Sequence, residues 1–130
     1  MKHTFKIVIS VACLTLSSLS LAAEGLESEC DPLETATPMQ NYCAGLGFQA
    51  ADAKLNKTYQ QLRSKLTATE KKTLTKDELR WISHRDKTCE TETADMQGTG
   101  WSGFYDSCRT ELTDSRIAVL EKQLTRYSKR

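Results

Sequence analysis

The sequence has very few residues of the kind that hold metals or carry nucleophilic catalysis. Histidine occurs only at His3 and His84, and no two of the five cysteines have the C-x-x-C spacing typical of zinc or redox sites. A G-x-S-x-G elbow and a glycine-rich phosphate loop are also missing. We therefore expect no metal, no cofactor and no enzymatic activity.

The one long apolar run lies at the N-terminus. Residues 7–21 carry no charge, two lysines precede them and two alanines follow. This order predicts a signal peptide over residues 1–23 that is cleaved on export, and the run is too short for a permanent membrane anchor. Lipidation of Cys13 is an alternative, but Ser10 stands where such a signal needs a large aliphatic residue.

After residue 23 the chain has almost no excess of either charge, with sixteen Lys and Arg against seventeen Asp and Glu. Proteins that bind nucleic acid usually carry a basic face, so we expect no nucleic-acid partner. The same balance predicts no strong attraction to anionic membranes.

No alternating run rich in Val and Ile follows the signal, and hydrophobic periodicity predicts three helices instead. Residues 24–38 form an extended lead-in, and residues 39–130 form the helical domain. The first helix begins at Pro38 or Met39 and ends near residue 66. The second begins at a capping box, Thr67 to Glu70, or alternatively near residue 77, and ends near residue 93. The third spans residues 102–127.

The expected architecture is all-α, a small antiparallel three-helix bundle held by two disulfides. Apolar spacing predicts these inward positions: Phe48, Ala51, Leu55, Tyr59, Leu62 and Leu66; Leu74, Trp81, Ile82, Arg85 and Cys89; Phe104, Cys108, Leu112, Val119 and Leu120. Four cysteines outside the signal, in a small exported domain, predict disulfides. Antiparallel second and third helices place Cys89 and Cys108 at one level, which favours Cys89–Cys108 and Cys30–Cys43. Cys43–Cys89 remains an alternative.

The most distinctive stretch runs from Trp81 to Cys89. Trp81 and Arg85 lie four residues apart, so they share a helix face and can form a cation–π pair. Arg85 can also reach a carboxylate on the first helix, with Asp52 as the candidate. One interpretation is an arginine that binds an anionic ligand. We favour the other, in which an Arg–carboxylate bond and an indole fix the packing of the helices.

The carboxylates Asp52, Glu78, Asp86, Glu90 and Glu92 invite an acid/base interpretation, but their linear spacing shows no facing pair. A better candidate for function is the glycine-rich segment of residues 95–105. It places Trp101, Phe104 and Tyr105 beside glycines, and aromatic residues in loops are typical of recognition surfaces. The alternative is that Phe104 and Trp101 close the end of the bundle. We take Trp101, Phe104 and Tyr105 as candidate partner-binding residues.

Several motifs occur together in a fixed order: Cys30, Cys43, Ala51-Asp52-x-x-Leu55-Asn56-x-x-Tyr59-x-x-Leu62, Trp81-x-x-x-Arg85-Asp86-x-x-Cys89, and Cys108 with Leu112-Thr113-x-x-Arg116. This arrangement resembles the LprI-type lysozyme-inhibitor family of small helical proteins exported by bacteria. The resemblance covers residues 30–124. Glu78 stands where the family often has Gln, and the Gly98-Thr99-Gly100 loop differs from the more usual Gly-Gly-Ser.

The resemblance implies a periplasmic or secreted protein that binds lysozyme and inhibits it by occluding the substrate cleft. We expect the family motif residues to be structural: Asp52, Leu55, Asn56, Tyr59, Trp81, Arg85 and Asp86. The alternative is a non-catalytic module of the cell envelope, interacting or stress-protective, with another protein partner. The resemblance assigns no inhibitory residues, and the oligomeric state is left open.

Overall fold

The computed structural model describes residue 30 and residues 35–129, which form three long helices. Helix α1 spans Thr37–Ser64, α2 spans Ala68–Glu92 and α3 spans Trp101–Ser128. The predicted signal peptide lies outside the described residues, as does most of the lead-in. None of the described helices is both long and apolar enough to cross a bilayer.

The helix starts follow from local chemistry. Extended Ala36 precedes α1, with a proline in the first turn, where its missing N–H breaks no helical bond. The capping box predicted for α2 is confirmed, because Thr67 Oγ1 accepts from the Glu70 N–H while Glu70 Oε2 accepts from the Thr67 N–H. The alternative start near residue 77 is wrong.

Contacts at both ends of the bundle define an up-down-up arrangement. The Tyr127 hydroxyl donates to Glu70 Oε1 at 2.8 Å, so the end of α3 lies beside the start of α2. The Cys89–Cys108 bridge joins the opposite ends of the same two helices. Helices α2 and α3 are therefore antiparallel, and α1 runs parallel to α3, as in other short-loop bundles.

Both favoured disulfides are confirmed, and the alternative Cys43–Cys89 pairing is wrong. The Cα atoms of Cys89 and Cys108 lie 5.7 Å apart, and those of Cys30 and Cys43 lie 5.6 Å apart. The first bridge ties α2 to α3 near the glycine-rich connection. The second attaches the lead-in to the beginning of α1.

The core is a column of aliphatic side chains in the part of the bundle that is farther from the Cys89–Cys108 bridge. It consists of Leu55, Leu62, Leu74, Ile117 and Leu120, with Tyr59, Leu66, Trp81, Leu124 and Tyr127 packed around it. The prediction that Val119 and Phe104 face inward is wrong, since they are 46% and 53% exposed. The inward position predicted for Leu120 is confirmed, and Thr113 and Ile117 are the other buried residues of α3, at helical spacing.

Candidate partner-binding surface

The glycine-rich connection between α2 and α3 is held against α1 by Asn41. The Asn41 Nδ2 donates to the carbonyl of Thr99 at 2.5 Å, and its Oδ1 accepts from the Gly103 N–H at 3.1 Å. A Cβ on Gly103 would lie 2.5 Å from that Oδ1, so glycine permits this close approach of α1 and α3. Gly98 has φ of +113°, which favours glycine at the turn. The Asn41 side chain thus binds the backbone of this connection at two points.

A groove of about 710 Å³ opens where this connection meets the start of α1. Its apolar lining includes Met96 and Phe104, which are 43% and 53% exposed, and its polar lining includes Asn41. Phe104 lies in the first turn of α3, not in a loop, because that helix already begins at Trp101. Exposed large apolar side chains around a concave surface are typical of protein-binding sites.

Trp101 and Tyr105 lie one turn apart on α3 and form a stack beside the groove. Their ring centroids are 5.0 Å apart and their planes differ by 13°. Trp101 is 37% exposed. All three candidate residues therefore lie at the same end of the bundle, with Phe104 in the groove and the stacked pair on an adjoining row. We call Met96, Trp101, Phe104 and Tyr105 the aromatic end.

Arginine and aromatic side chains alternate from this end into the bundle. The Arg109 guanidinium lies 4.4 Å from the centroid of the Tyr105 ring and 3.7 Å from that of Phe48. The Arg85 guanidinium lies 4.9 Å from the centroid of the same Phe48 ring and 5.3 Å from that of Trp81. The negative face of an aromatic ring attracts a guanidinium placed above it, so these contacts are favourable. The Tyr105 ring is therefore in contact with both the Arg109 guanidinium and the Trp101 ring.

Arg85 is enclosed by protein groups. Its Nε donates to Asp86 Oδ1 at 2.8 Å, and its Nη1 lies 3.3 Å from Thr113 Oγ1 and 3.5 Å from Asp52 Oδ1. Its side chain is 5% exposed. An arginine that binds an external anion needs free donors facing solvent, and here two aromatic rings and three polar side chains surround the guanidinium. This geometry supports a structural role.

The other family motif residues are spread between the core and its surface. Leu55 is buried in the core. Asn56 donates from Nδ2 to Asp52 Oδ2 at 3.1 Å, one turn away on the exposed side of α1. The Tyr59 and Thr75 hydroxyls lie 2.8 Å apart and join α1 to α2. None of these residues reaches the aromatic end.

Sequence reasoning missed a buried ion pair between α2 and α3. Arg116 donates from Nε and Nη2 to Glu78 Oε2 at 3.0 and 2.7 Å, and Glu78 is 7% exposed. The Arg116 guanidinium also lies 5.6 Å from the Trp81 ring centroid. The spacing of Glu78, Trp81 and Arg85 places them on one face of α2. This shared face was the sequence signal that Glu78 lies with the inward residues. The partner from α3 required the tertiary structure.

Two of the five candidate carboxylates line one pocket, but an arginine binds each of them. Asp52 and Glu78 border a cavity of about 230 Å³ between α1 and α2. Arg85 is bound to the first and Arg116 to the second. Asp86, Glu90 and Glu92 are not in its lining. Within residues 35–129, no cluster of three or more His, Cys, Asp or Glu forms a metal site.

Acidic side chains of α2 flank the aromatic end. Burial raises the pKa of the Tyr105 phenol above its ordinary value of 10.0, and the negative charge of Asp86 raises it further. Glu90 acts in the same direction and Arg109 opposes it. Residues 86–106 contain five acidic side chains and one lysine. Asp86 is paired with Arg85 and Asp106 with Arg109, so the negative charge near the stacked rings comes from exposed Glu90, Glu92 and Asp95.

Comparison with known proteins identifies the class of this domain. The family described as "Lysozyme inhibitor LprI" matches residues 30–120, which include all four disulfide cysteines and the aromatic end. The chain belongs to the LprI lysozyme-inhibitor family. It is also 33% identical, over 96 residues, to an uncharacterized protein of Rhizobium meliloti (strain 1021), in a match that covers 63% of this chain and 69% of that protein. No solved structure matches the chain significantly.

Proposed function

We propose that this protein is an exported inhibitor that binds lysozyme and occludes its substrate cleft. The observation that carries the proposal is the family match over residues 30–120. The signal-like pattern of residues 1–23 supports export to the periplasm or the medium. The two disulfides suit a protein that works in an oxidising compartment.

The aromatic end is the surface that we propose contacts lysozyme. Tryptophan, tyrosine and phenylalanine contribute large contact areas at low conformational cost, and such residues dominate many protein interfaces. Asn41 and the Trp101–Tyr105 stack hold this end in one conformation before binding. A surface that is already ordered loses less entropy when it docks. The proposed contact therefore combines apolar area with pre-organisation.

The charge of this end suits the proposed partner. Common animal lysozymes are basic, and the acidic side chains beside Tyr105 would attract a basic protein. Exposed Glu90, Glu92 and Asp95 lie at the C-terminal end of α2 and in the connection that follows. Complementary charge raises the rate of association more than it lowers the rate of dissociation. The nearly neutral total charge does not weaken this local effect.

Alanine at Phe104 or Trp101 is expected to weaken lysozyme inhibition about tenfold, because each removes an exposed aromatic side chain from the proposed contact. The measurement is the inhibition constant for lysis of bacterial cell walls. Val119→Ala is the matched control, since Val119 is similarly exposed, at 46%, but lies near the middle of α3. Equal losses in the control and in the aromatic variants would place the contact elsewhere.

Added salt is expected to slow association with a basic lysozyme, because screening weakens the attraction exerted by Glu90, Glu92 and Asp95. The triple variant Glu90→Gln, Glu92→Gln, Asp95→Asn should associate about tenfold more slowly at low salt and show a smaller salt dependence. Its control is Glu111→Gln, Asp114→Asn, Glu121→Gln, which removes the same charge from exposed positions farther along α3. An association rate that does not change with salt would show that these acidic side chains do not steer lysozyme to this surface.

A further inference from the structure

The opposite end of the bundle carries a basic groove that the lysozyme proposal does not use. It lies where α1 ends and α2 begins, and its volume is about 630 Å³. Five cationic side chains line it: Arg63, Lys71, Lys72, Lys76 and Arg80. Four of them come from one face of α2. We call this feature the basic groove.

Most of these cations have no anionic partner within the part of the chain that the structure describes. Arg80 is paired with Asp77. No other cation of the groove lies within ion-pair distance of a carboxylate among the described residues. The nearby acids are occupied, because Glu78 binds Arg116 inside the bundle and Glu70 forms the capping box. The groove therefore keeps a positive charge that the fold itself does not neutralise.

An apolar side chain stands among these charges. Leu79 lines the groove and is 64% exposed, the largest value among the large apolar side chains of the described residues. It is not part of the core, which takes Leu74 from the same helix. A leucine surrounded by lysines and arginines is the pattern of helices that lie on anionic lipid surfaces, where the cations meet headgroups and the apolar residue enters the interface.

We propose that the basic groove docks reversibly on an anionic phospholipid surface. The cations supply attraction to the headgroups, and Leu79 supplies the apolar contact that a soluble polyanion would not need. The sequence predicted no strong attraction to anionic membranes because the total charge adds the acidic side chains beside the aromatic end to the cations of the basic groove. These two groups of charges are separated along the bundle, so the net charge does not show that one region is acidic and the other basic.

The geometry leaves the aromatic end accessible when the groove is docked. The basic groove lies at the end where Tyr127 meets Glu70, and the aromatic end lies beyond the Cys89–Cys108 bridge. The lining of the basic groove contains no residue of the aromatic end, so Trp101 and Phe104 stay outside the proposed lipid contact. The lipid contact does not depend on the lysozyme proposal, and either can fail alone.

Vesicle sedimentation tests the proposal with the oxidised, exported protein. We expect binding to vesicles that contain phosphatidylglycerol, at least about tenfold weaker binding to pure phosphatidylcholine, and release by salt. The variant Lys71→Gln, Lys72→Gln, Lys76→Gln should lose at least about tenfold in vesicle affinity. The control Lys54→Gln, Lys57→Gln, Lys122→Gln changes the charge equally outside the groove and should stay within about twofold. Equal losses in the two triple variants, or equal binding to both lipids, would overturn the proposal.

Leu79→Ser separates a lipid surface from a soluble polyanion. We expect it to weaken vesicle binding about fivefold and to leave retention on a heparin column unchanged, since only the lipid offers an apolar phase. Unchanged vesicle binding would show that the groove recognises charge alone, which would contradict the lipid assignment. Thermal unfolding of each variant checks that the fold is retained.

Discussion

Alanine at Arg85 is expected to lower the free energy of unfolding by about 2–4 kcal/mol. The side chain is 5% exposed, and it holds Asp86, Asp52 and Thr113 while filling the space between two aromatic rings. Its removal leaves a cavity and takes a cation from beside two carboxylates. Asp52 and Asp86 are 41% and 35% exposed, so water compensates part of their loss. We therefore expect a smaller loss in the free energy of unfolding than for a fully buried ion pair.

Urea denaturation followed by circular dichroism measures this change. Arg80→Ala is the control, because its exposed pair with Asp77 should contribute less than about 0.5 kcal/mol. Arg85→Met separates packing from charge, since it keeps most of the side-chain volume. A loss below about 1 kcal/mol for Arg85→Ala would contradict the structural role of this arginine.

Removal of the Cys89–Cys108 bridge is expected to cost about 2–4 kcal/mol, whereas removal of Cys30–Cys43 should cost less than half as much. The two bridges span 19 and 13 residues, so loop closure alone predicts similar effects. Cys89, however, is completely buried and joins two helices of the bundle. Cys43 is near the start of α1, and the core cluster begins only at Leu55.

The comparison requires double alanine variants, Cys89→Ala with Cys108→Ala and Cys30→Ala with Cys43→Ala, so that no free thiol remains. Urea midpoints and slopes give the two free energies. Equal destabilisation would show that the lead-in contributes as much to the folded state as the α2–α3 contact does. A slope that changes in one variant only would show that its denatured state differs.

The helices and the disulfides were predictable because their signals are local. Apolar spacing defined α1, Thr67 and Glu70 defined the start of α2, and the glycine loop placed Cys89 level with Cys108. The inner face of α3 was less accessible to sequence reasoning. This helix has two apolar rows, one through Leu112 and Val119 and one through Ile117 and Leu120, and periodicity does not show which row meets the other helices.

The candidate site was predictable in residue type but not in arrangement. Trp101, Phe104 and Tyr105 stood out beside glycines, yet their division between a groove and a stacked row depends on where α3 begins. The Glu78–Arg116 pair joins residues 38 positions apart, and no local pattern indicates that Arg116 is the partner of Glu78. The separation of charge could not be read from the sequence for a different reason. The net charge adds acidic and basic side chains that lie at opposite ends of the bundle.

The most direct test of the account is the hydrolysis of a small soluble chitooligosaccharide by lysozyme in the presence of this protein. A short substrate removes any effect of the inhibitor on the cell wall and reports the substrate cleft itself. We expect competitive inhibition of at least one of the animal c-type, g-type and i-type lysozymes, abolished when the inhibitor is reduced and unfolded. No inhibition of any class at micromolar protein would contradict it, and a cell-envelope interaction module would then become the better explanation.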